Sequence, residues 1–295
     1  MNILQVSNLK TYFYTSNGVV KAVDDVSFNI EKGKVFGIVG ESGSGKTLTV
    51  LSILKLISPP GNIAGGSAIF NPSALRLRSG PMVSKVEPSA GSGLSRANEV
   101  RRGINGLDLL KLDEKDLRGI RGSKISIVFQ EPASSFNPVF TIGEQIVETI
   151  INHQGVDGGK AKDLALEYLN RVHIDEEERI FYDYPHQLSG GTKQRAMIAM
   201  ALVNSPELVI LDEPTTALDV TIQAQVLDLL KEIIGKEKLS ILFISHDFGI
   251  VSGMCDHIAV MRKGRIIESG ITKEVLSNPK EPYTVSLLES VKALS

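Results

Sequence analysis

Residues 40–47 read GESGSGKT and lie between a short apolar run, VFGIV at residues 35–39, and a segment with helical spacing at residues 48–56. A five-residue apolar run predicts a buried strand, so the order is strand, glycine-rich loop, helix. The spacing matches the phosphate-binding pattern G-x-x-x-x-G-K-[ST], which requires this order of elements. The stretch predicts a phosphate-binding loop in an α/β domain; the alternative is an ordinary Gly/Ser turn before a helix.

Each part of this loop suits the binding of phosphate. Glycines allow backbone N–H groups to turn inward where side chains would block a phosphate, and the helix N-terminus adds partial positive charge. Lys46 is predicted to reach the β- and γ-phosphates, and the Thr47 hydroxyl to bind Mg²⁺. The predicted nucleotide contacts of the loop are Gly40, Ser42, Gly43, Ser44, Gly45, Lys46, Thr47 and Leu48.

Composition limits the possible classes of protein. The 295 residues suggest one large domain or two ordinary ones, and 42% apolar residues are enough for a sizeable core. A net charge of −2 gives no global attraction to nucleic acid. The single cysteine, Cys255, excludes an intramolecular disulfide or a cysteine-based metal cluster and fits a reducing, cytosolic setting. We find neither a signal-peptide pattern nor a long apolar run, so attachment to a membrane would need another protein.

The first 30 residues alternate apolar and polar positions in short runs, which predicts a β-rich opening with turns at residues 16–18 and 32–33. Phe13 lies near the end of the first run. Its ring could stack on an adenine, or it could belong to the core.

Strands and helices alternate over most of the remaining chain. Residues 71–104 are rich in Ser, Gly, Pro and Arg without sustained periodicity, and we expect an exposed insertion there. Elsewhere the alternation predicts an α/β domain with a parallel central sheet. The predicted strands are residues 125–129, 208–211 and 240–245, with a hairpin over 258–268, and the predicted helices are 142–151, 160–172, 194–203 and 222–234.

Polar side chains follow three of the predicted strands. Asp212 and Glu213 follow one apolar strand, His246 the next, and Gln130 an earlier one. Ligands of open α/β folds bind at the carboxyl ends of strands, so we expect these side chains at one site. Asp212 is suited to hold Mg²⁺, Glu213 to polarise an attacking water, and His246 to contact a γ-phosphate.

Five motifs together give this chain its resemblance to a known family. GESGSGKT, Gln130, LSGGTKQR at residues 188–195, LVILDEPTTALD at 208–219 and Ser245-His246-Asp247 resemble, in order and rough spacing, the motif set of the ATP-binding cassette (ABC) ATPases. The resemblance implies binding of ATP and Mg²⁺, with the metal held by Thr47, Gln130 and Asp212. It makes Glu213, His246 and Gln130 the catalytic residues. It adds nucleotide contacts at Phe13, Ser189, Gly190, Gly191 and Asp219, of which the signature residues 189–191 face the nucleotide of a second subunit. Thr192 stands where Gln is usual.

The same resemblance implies the domain organisation. We expect a single P-loop NTPase domain with a RecA-like parallel-sheet core, an N-terminal antiparallel β subdomain and an α-helical subdomain. The expected boundaries are 1–70 and 105–130 for the β-rich and P-loop core, 71–104 for the insertion, 131–187 for the helical subdomain, 188–270 for the signature, Walker B and switch-histidine core, and 271–295 for the C-terminal segment.

A narrower resemblance is to the ATPase subunits of oligopeptide and dipeptide importers, a group that includes nickel and some oligosaccharide importers. It rests on residues 129–145, with FQEP and SSFNP, on residues 109–122, and on EPYT at 281–284. The insertion at 71–104 departs from the group, and the cysteines that bind an iron–sulfur cluster in some members are absent.

The resemblance implies an ATPase subunit of a peptide importer at the cytoplasmic face of the membrane. Its expected partners are a second ABC ATPase subunit, forming a heterodimer, two permease subunits and, indirectly, a solute-binding protein, with no nucleic acid. Import of nickel or oligosaccharides is the alternative cargo. A soluble ABC ATPase of ribosomes or DNA is a weaker alternative, since the chain has neither two cassettes nor a long coiled coil.

Overall fold

The computed structural model describes residues 1–16, 18–73, 106–131 and 135–293, which form two β-sheets and ten α-helices. The ten strands are β1 (Asn2–Thr15), β2 (Gly18–Glu31), β3 (Val35–Val39), β4 (Gly61–Phe70), β5 (Leu107–Asp108), β6 (Ile125–Val128), β7 (Leu208–Asp212), β8 (Ser240–Ser245), β9 (His257–Arg262) and β10 (Arg265–Ile271). The helices are α1 (Lys46–Ile53), α2 (Glu114–Ile120), α3 (Ile142–Gln154), α4 (Gly158–Arg171), α5 (Glu177–Tyr182), α6 (Gly190–Leu202), α7 (Val220–Glu237), α8 (Phe248–Met254), α9 (Thr272–Ser277) and α10 (Pro282–Ala293).

The first sheet is antiparallel, with strand order β2-β1-β4-β5. The alternating opening of the sequence forms the long β1–β2 pair, in which the buried side chains of Val26, Phe28 and Ile30 alternate with exposed ones. No pattern in the sequence predicts β4, because its half-buried GNIAGGSAIF lacks a run of strand-forming residues. Pairing with β1 stabilises it as a strand.

The second sheet has the order β10-β9-β3-β8-β7-β6, and β3, β6, β7, β8 and β9 are parallel. Only β10 at its edge is antiparallel, paired with β9 as the predicted hairpin. Alternate side chains of these strands lie on opposite faces of the sheet and belong to two hydrophobic cores. Phe36, Ile38, Ile210 and Leu242 pack toward the antiparallel sheet, whereas residues on the opposite face pack against the helices. The predicted α/β fold is confirmed.

Helices α3, α4 and α5 pack together and share one hydrophobic core with the helix-facing side of the second sheet. Thr141 begins α3 with a capping box: its hydroxyl accepts the Glu144 N–H at 3.2 Å, and the Glu144 carboxylate accepts the Thr141 N–H at 2.7 Å. The Asp157 side chain caps α4. Apolar residues on α3 and α4, among them Ile146, are fully buried between these helices. The buried residues at helical spacing produce the periodicity that predicts these helices, and the caps set where α3 and α4 begin.

Several predicted helix boundaries are wrong: α3 ends at Gln154 rather than at residue 151, and α7 spans Val220–Glu237 rather than 222–234. The structure gives a reason for two others. α6 begins at Gly190, not Gln194, because the Ser189 hydroxyl caps it by accepting the Thr192 N–H at 3.2 Å. α1 ends at Ile53 rather than residue 56, because Lys55 adopts a left-handed conformation, with φ +50°.

Three expectations fall wholly or partly outside the described residues. The insertion predicted at 71–104 lies almost entirely there, as do Asn17 of the first turn and residues 132–134 of the FQEP–SSFNP stretch. Among the helices that are described, none combines the length and apolarity needed to cross a membrane.

Candidate functional site

Four parallel strands end side by side, and the loop that follows each contributes to one cavity. In the sheet order β3, β8, β7, β6, these strands lead to the phosphate-loop stretch, His246, Glu213 and Gln130. The cavity has a volume of about 560 Å³. It is lined by Gly40, Glu41, Ser42, Gly43, Gly45, Lys46, Thr47, Leu48, Gln130, Glu213, Thr216, His246, Phe248, Leu287 and Ser290. The structure therefore brings the three predicted strand-end residues beside the loop.

The loop at residues 40–47 is held in shape by the turn between β9 and β10. The Gly264 N–H donates to the Ser44 carbonyl at 2.8 Å, and the Gly264 carbonyl accepts from the Asp24 N–H at 2.8 Å. A side chain at Gly40 would place its Cβ 2.2 Å from the Met261 carbonyl oxygen. Glycine at position 40 is thus required by close packing of the protein itself, in addition to any approach of a phosphate.

The Lys46 side chain lies inside the loop and is 4% exposed. Its ammonium donates to the carbonyl oxygens of Gly40 at 2.8 Å and Glu41 at 3.0 Å, and it lies 3.6 Å from the Glu213 carboxylate. Burial lowers the pKa of Lys46, while the charge of Glu213 opposes that shift. The ammonium is thus held at the centre of the loop by groups that an anionic ligand would replace.

Thr47 and Asp212 form the candidate metal site. The Thr47 hydroxyl donates to Asp212 Oδ1 at 3.1 Å, and Asp212 is buried. Burial raises the pKa of Asp212 to about 6, and the neighbouring charge of Glu213 adds to the shift, whereas the hydrogen bond from Thr47 opposes it. A cation would therefore stabilise the charged carboxylate.

These two oxygen ligands fit Mg²⁺, which commonly takes one or two protein oxygens and completes its shell with water and phosphate oxygens. Among the described residues no group of three or more His, Cys, Asp or Glu side chains is placed to hold a metal ion. A metal here would thus depend on a phosphate ligand to complete its coordination.

The Glu213 carboxylate is the point where the loops meet. Its Oε2 accepts hydrogen bonds from Gln130 Nε2 at 3.3 Å and Thr216 Oγ1 at 3.0 Å, and lies 3.1 Å from His246 Nδ1. The residue has a left-handed backbone, φ +48°, which is unfavourable for a side chain of this kind. Its N–H donates to the Ile244 carbonyl at 3.0 Å, and this bond to the neighbouring strand holds the backbone in place. Such retained strain is typical of functional positions.

Several predicted site residues do not line this cavity. The Phe13 ring packs against Gly61, where an added Cβ would lie 2.7 Å from Cε1 of the ring. Asp219 caps α7 by accepting the N–H groups of Thr221 and Ile222 at 3.1 and 3.0 Å. Ser44, although buried within the loop, is also absent from the lining.

The signature residues likewise lie away from the cavity of their own chain. Ser189 caps α6, and Gly190 and Gly191 form its first turn. A side chain at Gly191 would place its Cβ 2.6 Å from Ile222. This placement is compatible with a role toward a second subunit, and the expectation that residues 189–191 act there stays a prediction.

Sequence reasoning missed five residues of the cavity. Thr216 and Glu41 belong to motifs already recognised, so the spacing within those motifs could have identified them. Phe248 begins the short helix after His246. Leu287 and Ser290 come from α10 and carry no local signal, because their position depends on how the helix docks.

Comparisons with known proteins agree with these features. A family model described as ABC transporter matches residues 23–216. A putative peptide import ATP-binding protein of Brucella melitensis is 44% identical over 293 residues, covering 99% of this chain and 78% of that protein. The oligopeptide transport ATP-binding protein AppD of Bacillus subtilis is 43% identical over 293 residues, covering 99% of this chain and 79% of AppD.

Solved structures share the fold. The ATP-binding cassette MJ0796, in a dimeric post-hydrolysis state bound to ADP and Pi, has a TM-score of 0.70 at 24% identity, covering 91% of this chain and 98% of that one. The protein cbiO1 of Clostridium perfringens, part of the ABC transporter complex cbiONQ, has a TM-score of 0.69 at 26% identity, covering 94% of this chain and 91% of that one.

Proposed function

The chain belongs to the ABC transporter family, and we propose that it is the ATPase subunit of an importer of peptides or oligopeptides. The observation that carries the proposal is the meeting of four strand-end loops at one cavity, where Lys46, Gln130 and His246 each lie within 3.6 Å of the Glu213 carboxylate. The relatives named as peptide import ATP-binding proteins support peptides as the cargo class.

We assign the binding of the nucleotide to the phosphate loop. Its backbone N–H groups and the Lys46 ammonium would hold the phosphates, and Phe13 would contact the base. Thr47, Asp212 and Gln130 would hold Mg²⁺, which supplies charge neutralisation at the phosphates when bound. The Lys46 ammonium, now paired with two carbonyl oxygens and Glu213, would turn to the phosphates.

We assign the hydrolytic step to Glu213. Its carboxylate would orient the attacking water and accept the proton, with Gln130, Thr216 and His246 fixing its position through the contacts they make with it. His246, which is half exposed, would face the γ-phosphate. A buried carboxylate fixed by several partners is suited to such work, since its orientation costs little further entropy.

We propose that the complete ATPase is a dimer in which the signature residues 189–191 and Asp219 of each chain face the nucleotide of the other. The other chain would be a related ATPase subunit. The pair would act on two permease subunits, supplied with cargo by a solute-binding protein, and would lie at the cytoplasmic face of the membrane, attached through the permease. The relatives' names as import proteins support this arrangement.

Nucleotide titration tests the central assignment. Replacing Lys46 by Ala removes the ammonium, and loss of a charged hydrogen bond of about 1.5–3 kcal/mol corresponds to about ten- to hundredfold weaker binding of methylanthraniloyl-ATP with Mg²⁺. Lys231→Ala, on the exposed face of α7, is the control and should bind as the parent does. Unchanged affinity of Lys46→Ala would refute the assignment of the loop.

The cargo is tested by uptake. Membrane vesicles that contain the two permease subunits, this chain and the related ATPase subunit, supplied with the solute-binding protein, should accumulate a labelled oligopeptide with ATP, and Glu213→Gln should strongly reduce that accumulation. Uptake of labelled Ni²⁺ or of a labelled oligosaccharide in place of the peptide would contradict the peptide assignment.

A further inference from the structure

The C-terminal helix α10 forms one wall of the cavity that contains the phosphate loop. Leu287 and Ser290 of this helix line the cavity together with Glu41 and Ser42 of the loop. His246 and Glu213, the groups assigned to the γ-phosphate and the attacking water, line it as well. Phe13, the residue assigned to the base, does not. Helix α10 therefore borders the phosphate side of the cavity.

Several contacts dock this helix against the rest of the chain. At its start, the Glu268 carboxylate accepts the N–H groups of Lys280 at 2.7 Å and Glu281 at 3.2 Å. Further along, the Arg262 guanidinium lies 4.4 Å from the centre of the Tyr283 ring, a cation–π arrangement. Leu287 and Leu288 pack against the large core between the sheet and the helices. The helix is therefore docked along its length.

We propose that Ser290 and Leu287 are nucleotide-contact residues on the phosphate side of the site. This inference rests on the proposed function. It extends the site beyond the loop and strand-end motifs to a helix that neither the motifs nor the comparisons assign to nucleotide. By thermodynamic linkage, nucleotide that touches α10 must also stabilise its docking.

A pair of opposite charges placed at Ser290 gives a sharp test. Ser290 is exposed, so Lys or Glu can be introduced there without disturbing the core. We expect Ser290→Lys to tighten and Ser290→Glu to weaken the binding of methylanthraniloyl-ATP with Mg²⁺, each by about three- to tenfold, as Coulomb attraction or repulsion over several ångströms of hydrated protein predicts. The difference should shrink in high salt, because screening shortens the range of the interaction.

Ser286, one turn earlier on the same helix, supplies the matched control. It is exposed and does not line the cavity, so Ser286→Lys and Ser286→Glu should both bind within about twofold of the parent by the same Coulomb argument. An affinity at Ser290 that is unchanged, or that shifts in the same direction for both charges, would overturn the inference. Melting temperatures of the four variants identify any that fail to fold.

A variant with a smaller side chain tests whether Leu287 contacts the nucleotide. Leu287→Ala opens the wall and should weaken nucleotide binding, whereas Leu288→Ala loses core packing without touching the cavity and should lower the melting temperature alone. Equal affinities in these two variants would exclude Leu287 as a contact.

Lys46→Ala in the same assay separates this inference from the proposed function. If it weakens binding while the Ser290 and Leu287 variants do not, the loop assignment stands and the role of α10 is wrong. If Lys46→Ala has no effect, the proposed function itself fails.

Discussion

The Lys46 ammonium lies 3.6 Å from the Glu213 carboxylate, and the two side chains are 4% and 11% exposed. The ammonium that we propose to bind phosphate is thus paired with the carboxylate that we propose to orient water. We expect ATP to displace the carboxylate from Lys46, so that the charge of Glu213 competes with the phosphates for this ammonium. Because of this competition, we expect removal of the charge of Glu213 to change the affinity for ATP as well as the rate of hydrolysis.

Glu213→Gln should nearly abolish turnover and tighten ATP binding. The amide keeps the shape of the side chain but cannot accept a proton, a loss of about 10²–10⁴-fold for a general base. It also removes the negative charge that holds Lys46 and repels the γ-phosphate. Steady-state hydrolysis and nucleotide titration measure the two effects. Turnover within threefold of the parent would contradict the role of Glu213.

Asp212→Asn should stabilise the nucleotide-free chain, most strongly above pH 6. Burial raises the pKa of Asp212 to about 6, above the ordinary value of 3.8, so the charged carboxylate disfavours folding. The penalty is absent below the unfolded pKa, grows between the two values and is complete above the folded one, at about 2–3 kcal/mol. Denaturant unfolding at pH 4 and pH 7.5 measures it. An equal gain at both values of pH would contradict this account.

Gly40→Ala should lower the free energy of unfolding by about 1–3 kcal/mol, the range for overpacking. The new Cβ would lie 2.2 Å from the Met261 carbonyl oxygen, so the loop or β9 must shift. Gly235→Ala, in α7, is the control: nothing lies within 4 Å of its Cβ, and it should stabilise slightly. Equal melting temperatures for the parent and Gly40→Ala would mean that the close contact is relieved at no cost.

Ser189→Arg should lower turnover of the assembled ATPase while the isolated chain binds ATP as before. Ser189 lies at the start of α6, away from the cavity lined by the chain's own phosphate loop. Affinity is measured by titration of the isolated chain, and turnover in the assembly. A loss of affinity like that of Lys46→Ala would place the signature in the chain's own site.

Mixed dimers extend this test. A Glu213→Gln form of this chain, paired with the related subunit changed to Arg at its own signature serine, retains one site with every motif intact. Glu213→Gln and Ser189→Arg together in this chain, paired with the unchanged related subunit, damage each site. With the parent dimer as the reference, only the first mixture should retain about half of its activity. Equal activity in the two mixtures would refute sharing of sites between subunits.

Much of the site could be predicted because its residues come directly after strands of the parallel sheet. Parallel strands end at one edge of a sheet, so Gln130, Glu213 and His246 were expected beside the loop from their places in the sequence alone. Their predicted roles await the experiments above. The alternation of β1 and β2 and the apolar runs of β7 and β8 likewise predicted those strands.

The remaining features depend on contacts between distant parts of the chain. The need for glycine at position 40 comes from the Met261 carbonyl, which no pattern near residue 40 could reveal. β4 is a strand because β1 pairs with it. Leu287 and Ser290 reach the cavity because Glu268 and Arg262 dock α10, an outcome of tertiary packing.

The position of β3 has a consequence for biosynthesis. The strand that leads into the phosphate loop pairs with β8 and β9, both from the last part of the chain, and Gly264 completes the support of the loop. While the ribosome is still adding those residues, β3 lacks both of its partners in the sheet, and pairings between such distant segments form slowly. The support that Gly264 gives the phosphate loop likewise forms only after the turn between β9 and β10 has been synthesised. We therefore expect the unpaired edges of β3 to favour aggregation until synthesis is nearly complete.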